Sequence, residues 1–335
     1  MPLKELKQTI KDMVVVGKGI LAADESVKTA TKRLASINVE STEETRRQYR
    51  NLMLAAPGIE NYICGVILFE ETLHQKSDDG ILFPKLLAKR GIVPGIKVDE
   101  GLADLENGEQ YTKGLDTLGK RLEEYKTFGT RFTKWRAVYS ISKNTPTSEI
   151  VKRNANDLAK YAKISQQHGF VPIVEPEVLI DGTHSIDTSY KVTERVLKGV
   201  FASLKNENVM IDCAILKPSM VISGKEAKNR ANVDEVARNT VKCLKATVPS
   251  GLPSINFLSG GQTPQEATAH LNRMHTLGEK LPWYVSFSYA RALQDPALKA
   301  WQGKEGNVEA AQRAFLKRAK FNSLATMGKY SEDME

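Results

Sequence analysis

The segment Cys213-Ala214-Ile215-Leu216-Lys217-Pro218 reads as a short buried strand, with a lysine at its carboxyl end and a proline that stops it. Near-continuous apolar runs without polar alternation suit a parallel sheet covered on its outer face. Seven further runs of this kind occur at residues 19–24, 62–70, 93–99, 132–140, 171–177, 255–259 and 284–288. Helical patterns separate most of them, among them 149–168, 190–204 and 233–247. Ser41 with Glu44 has the spacing of a capping box, Asn232 that of an N-cap, and Thr263-Pro264 with Glu266 combines a cap, a first-turn proline and an early acid.

Eight strand–helix units in an uninterrupted chain of 335 residues predict an α/β fold, a (β/α)₈ TIM barrel in one domain. Residues 1–18 are expected to form an N-terminal helical extension under the barrel, and residues 307–335 a C-terminal helix and short tail. A doubly wound open sheet is the competing architecture, but no Gly-rich dinucleotide fingerprint follows any strand. The longest apolar run, 63–69, is far too short to span a bilayer, and the charged start of the chain is no signal peptide. Cys64, Cys213 and Cys243 are scattered and odd in number, as suits reduced thiols in the cytoplasm. The formal charge of +8 comes from basic residues interleaved with acids, with no basic-aromatic platform, so nucleic acid is a poor partner and anionic small molecules a better one.

In a barrel of this kind the active site lies at the carboxyl ends of the strands. Charge collects there: Asp24, Lys97 and Asp99, Lys134 and Arg136, Glu175 and Glu177, Lys217, then Ser259-Gly260-Gly261 and Arg291. Residues two apart on a strand share a face, so Lys134 with Arg136, and Glu175 with Glu177, point the same way. Buried charges need one another or a ligand. The Ser-Gly-Gly turn after the seventh run offers backbone N–H groups to an anion, and Arg291 offers a fork for phosphate oxygens. The cations, with Arg33 added, suggest a substrate bearing two phosphates. A lysine in such an interior is disfavoured as an ammonium, and a neutral amine attacks carbonyl carbon. A ketone attacked by Lys217 would become an iminium, the chemistry of Schiff-base enzymes, with Asp24 and Glu175 as the nearby acids. The histidines, His74, His168, His184, His270 and His275, show no paired ligand spacing and sit at no candidate strand end, so neither a metal nor another cofactor is expected.

The segments Gly19-Ile-Leu-Ala-Ala-Asp-Glu-Ser26, Gly95-Ile-Lys-Val-Asp99, Phe132-Thr-Lys-Trp-Arg-Ala137, Pro172-Ile-Val-Glu-Pro-Glu177, Leu216-Lys-Pro218, Phe257-Leu-Ser-Gly-Gly-Gln262 and Ser288-Tyr-Ala-Arg-Ala-Leu-Gln294 together resemble class I fructose-1,6-bisphosphate aldolase, in the right order from about Lys18 to Tyr330. The resemblance implies a (β/α)₈ barrel, commonly a homotetramer, that reversibly cleaves fructose 1,6-bisphosphate in glycolysis and gluconeogenesis without a metal. It implies Lys217 as the Schiff-base lysine and Glu175 as the acid/base for loss of water from the carbinolamine. It places Asp24 near the C4 hydroxyl, Lys134 beside it, and Glu177 as a supporting carboxylate. Ser259, Gly260 and Arg291 match one phosphate site; Ser26, Arg33 and Lys97 match the second or its approach; Arg136 belongs to the substrate-binding Lys-x-Arg pair. Three departures stand out: Val27-Lys28-Thr29 where the family commonly has Thr-Gly-Ser, Ala290 in place of a common glycine, and an end at Glu335, after Tyr330, where many members carry a terminal tyrosine. Another Schiff-base aldolase or a transaldolase acting on a sugar phosphate is the alternative.

Overall fold

A computed structural model describes residues 2–335. Eight parallel strands close into a barrel in chain order: β1 Gly19–Ala23, β2 Ile63–Leu68, β3 Val93–Lys97, β4 Phe132–Tyr139, β5 Val171–Val178, β6 Ile215–Leu216, β7 Ser254–Phe257 and β8 Tyr284–Tyr289. The barrel shuts where β8 pairs with β1, Ile20 opposite Ser288. This is the (β/α)₈ barrel expected from the run pattern.

Several strands end earlier than the apolar runs do. β1 stops at Ala23, which leaves Asp24 just past it, and Glu70 opens the short helix Glu70–His74 rather than ending β2. β6 is only two residues long because Ile211–Cys213 coils as a 3₁₀ turn before it. Its ladder nevertheless reaches the lysine: the Lys217 N–H donates to the Val174 carbonyl at 2.8 Å, and Pro218, lacking an N–H, ends the pairing. An antiparallel hairpin, Leu102–Asp104 with Gln110–Thr112, interrupts the connection from β3 to β4 and had no counterpart in the sequence reading. It is pinned to the barrel by the Thr112 hydroxyl, which donates to the Arg136 carbonyl at 2.6 Å.

The helix starts follow capping chemistry. Asn232 with Glu235 and Thr263 with Glu266 form reciprocal capping boxes, and Pro264 occupies the first turn. The box expected at Ser41 and Glu44 is shifted by one: Thr42 caps the helix Glu43–Leu54 and exchanges bonds with Thr45, while the Ser41 hydroxyl accepts from Thr31 at 2.8 Å. The fifth connection carries a longer helix than 190–204, running Ile186–Asn206 from its cap at Ser185.

Two apolar clusters organise the interior. One lies between the barrel wall and the surrounding helices. The other fills the lower barrel: Ile20, Cys64, Ile67, Phe132, Ile173 and Ile215, closed from beneath by Leu6 and Met13 of the helix Leu3–Met13. The Phe132 ring needs room in this space. A Cβ on Gly95 would stand 2.3 Å from it, which is why a glycine interrupts β3. Gly95→Ala is therefore expected to lower the unfolding free energy by about 1–3 kcal/mol through overpacking. Urea denaturation measures this as a lower midpoint with an unchanged slope; an unmoved midpoint would show that the ring yields freely.

Candidate active site

Above the apolar plug the barrel changes character. Asp24 follows β1, Lys97 ends β3 and Asp99 follows it, Lys134 and Arg136 lie on β4, Glu175 and Glu177 on β5, and Lys217 follows β6. Register brings them level: Lys97 is opposite Lys134, and Arg136 opposite Glu175. All open on one cleft of about 1040 Å³ at the mouth of the barrel, and every site residue expected from the sequence lines it, Ser26, Arg33, Ser259, Gly260 and Arg291 included.

The centre is a chain of alternating charges. Lys217, Glu175 and Lys134 are 4%, 4% and 3% exposed, so solvent does little to screen them. One Glu175 oxygen lies 3.2 Å from the Lys217 ammonium nitrogen and the other 3.4 Å from that of Lys134. Lys134 also meets Asp24 at 2.7 Å and Asp99 at 3.8 Å. Burial works against its charge, but Asp24, Glu175 and Asp99 outweigh that and raise it above the ordinary lysine range. Burial likewise opposes ionisation of Asp24, yet Lys134, Lys217 and Lys97 hold it well below the usual carboxylate value. Glu177 is lowered in the same manner against its own burial, chiefly by Arg136, whose Nε donates to it. Lys97 pairs with Asp99 at 2.7 Å. Lys217 thus sits among the charges expected at the strand ends, and its single carboxylate partner is shared with a second ammonium.

On the opposite wall, Gly260 and Gly261 adopt φ of +55° and +85°, left-handed conformations that side chains rarely take. They bend the chain after β7 so that Ser259 and Gly260 face the cleft. Behind the bend, the Gln262 amide donates to the Ser259 carbonyl at 2.9 Å and Gln262 Oε1 accepts from His270 Nδ1 at 2.6 Å. Burial pushes His270 down to about 4, so at neutral pH it is an uncharged donor holding Gln262 in place. Arg291, exposed at the head of the helix Arg291–Trp301, forms no ion pair among the described residues and is the open cation of this wall.

Arg33 is placed differently from Arg291. Its guanidinium meets Glu25 at 3.3 Å and Asp295 at 3.5 Å, and donates to Gln294 Oε1 at 2.9 Å. Glu25 is held in turn by the buried Arg50 at 2.5 Å, and Gln294 Nε2 donates to the Ala22 carbonyl at 2.6 Å, at the end of β1. The sequence reading missed this support. The available signal was Arg50, a cation within the apolar stripe Tyr49, Leu52, Met53 of its helix.

The family model for class I fructose-bisphosphate aldolase, of the glycolytic group, matches residues 5–335. The chain belongs to the class I fructose-bisphosphate aldolases. It is similar to the "Probable fructose-bisphosphate aldolase class 1" of Xanthomonas campestris, 52% identical over 333 residues, 98% of this chain and 99% of that one. It is likewise 52% identical over 319 residues to cytosolic fructose-bisphosphate aldolase 6 of Arabidopsis thaliana, covering 95% and 89% of the two chains. The solved fructose-bisphosphate aldolase of Plasmodium falciparum superposes with a TM-score of 0.96 at 47% identity, over 98% of this chain and 95% of that one. Class I members of the aldolase family work through a lysine imine and use no metal.

Proposed function

We propose that this class I aldolase cleaves fructose 1,6-bisphosphate reversibly to dihydroxyacetone phosphate and glyceraldehyde 3-phosphate, with Lys217 as the imine-forming amine. The observation that supports this assignment of roles is the unequal company of the two buried lysines. Lys134 has three carboxylates within 4 Å, whereas Lys217 has one and shares it. Lys134 is fixed as a cation; Lys217 is the amine left to give up a proton and attack the C2 ketone.

Glu175 reaches both amines, so it takes the proton from Lys217 and returns one to the carbinolamine hydroxyl as water leaves. The resulting iminium accepts the electron pair of the C3–C4 bond. Asp24, kept ionised by Lys134, takes the proton of the C4 hydroxyl as that bond breaks and the aldehyde forms. Glu177 fixes Arg136 against the sugar. The Ser259-Gly260 turn with Arg291 holds one phosphate by backbone N–H groups and guanidinium, and Ser26, Lys97 and Arg33 line the approach of the other. The metal-free imine route also fits a transaldolase, but basic side chains at two places in the cleft, Arg291 by the Ser259-Gly260 turn and Arg33 with Lys97, favour a bisphosphate. The plant relatives named as cytosolic or cytoplasmic support a cytoplasmic location, and the family habit supports a homotetramer.

Borohydride reduction in the presence of dihydroxyacetone phosphate tests the assignment. Peptide mass mapping is expected to find the reduced triose phosphate on Lys217; a label on Lys134 or another lysine, or none, overturns it.

A further inference from the structure

One carboxylate of the cleft has no evident part in this chemistry. Asp295 lies on the helix Arg291–Trp301, lines the cleft and is 40% exposed along its side chain. Its one ion-pair partner is Arg33, at 3.5 Å. It also stands within the fields of Arg291 and Lys299, which line the same cleft and form no ion pairs of their own among the described residues. Glu25 does not depend on Arg33 alone, since Arg50 also holds it, at 2.5 Å. Arg33, in contrast, is spanned by two acids, one on each terminal nitrogen.

We propose that Asp295 is a specificity-determining residue, a built-in counter-anion that competes with the substrate's second phosphate for the Arg33 wall and so weakens the preference of the site for a bisphosphate over a monophosphate ketose. The proposal rests on the reading of the cleft as a sugar-bisphosphate site. The net charge of the group Glu25, Arg50, Arg33 and Asp295 is zero with the carboxylate present and +1 without it. A phosphate arriving at this wall must displace Asp295 from Arg33 or accept its repulsion. A ketose phosphorylated only at the carbon next to the ketone, with that phosphate at the Ser259-Gly260 turn, places no charge on the Arg33 wall and meets Asp295 only through the field of Arg291, beyond ion-pair distance. A partly exposed ion pair of this kind is salt-sensitive and modest in size.

The test compares Asp295→Asn with the unaltered enzyme on fructose 1,6-bisphosphate and fructose 1-phosphate. The substitution keeps shape and removes charge. KM for the bisphosphate is expected to fall roughly two- to fivefold at low ionic strength, several times more than that for the monophosphate, with kcat unchanged. The gain is expected to shrink at high salt and to vanish in the double variant Asp295→Asn with Arg33→Gln, whereas Asp295→Glu restores the original ratio. An unchanged KM ratio, or an equal change for both substrates, overturns the proposal. Failure of the underlying reading is distinguishable, because the unaltered enzyme would then not cleave the bisphosphate at all.

Discussion

Lys217→Met is expected to lower kcat for aldol cleavage by roughly 10⁵- to 10⁶-fold, the size of loss seen when an enzyme's covalent nucleophile is removed. Methionine follows the course of the lysine stem without its nitrogen, and Glu175 keeps its second contact with Lys134 at 3.4 Å. No carboxylate is therefore stranded, and the barrel is expected to stay folded. Single-turnover cleavage measures the loss and circular dichroism checks the fold. A variant that still turns over within tenfold of the parent would show that the imine forms elsewhere.

Lys134→Met strikes at a different quantity. Here three carboxylates, Asp24, Asp99 and Glu175, lose the cation that lies 2.7, 3.8 and 3.4 Å from them. Removing one partner of a buried pair typically costs about 3–5 kcal/mol, because the remaining charge stays buried without compensation. Loss of unfolding free energy in that range is expected, with kcat reduced by about 10²- to 10⁴-fold as Asp24 loses its positioned ammonium. The pH dependence distinguishes this cause from a packing defect. Asp24 titrates below 3.8 in the folded enzyme, so its contribution is complete above that pH and fades as acid approaches the folded value. Lys134 titrates above 10.5, so its contribution is complete below that pH and fades as alkali approaches its own folded value. The stability gap between parent and variant is thus expected to be flat between about pH 5 and 10 and to narrow outside that range. Denaturant unfolding across pH measures it; a gap that ignores pH even at the extremes would point to lost packing instead.

Much of this arrangement was readable in the chain because the barrel obeys local rules. A buried parallel strand announces itself by an unbroken apolar run, and a charge at its end is conspicuous against that run. Lys217, Glu175 and Asp24 were found in this way, and all line the cleft. The supporting layer was not readable, for it depends on distant segments meeting. Glu25, Arg50 and Gln294 come from three different stretches, and nothing local to any of them predicts the others. That one carboxylate, Glu175, would join Lys217 to Lys134 was hidden for the same reason: burial is visible in a run, but the acid that reaches the lysine comes from a neighbouring strand. Strand ends were overrun where a polar residue continued the extended pattern without a ladder partner, as at Asp24 and Glu70.

The solid floor beneath Lys217 governs the order of events. Phe132, Ile173 and Ile215 fill the lower barrel, and Leu6 and Met13 seal it, so the cleft is closed from below and opens at the mouth of the barrel. With Lys217 as the proposed imine-forming amine, cleavage of the carbon–carbon bond leaves one fragment tethered at the back and the other free nearer the mouth. On the proposed chemistry the free aldehyde leaves first; the tethered enamine then takes a proton at C3 to become an iminium again, and water hydrolyses that.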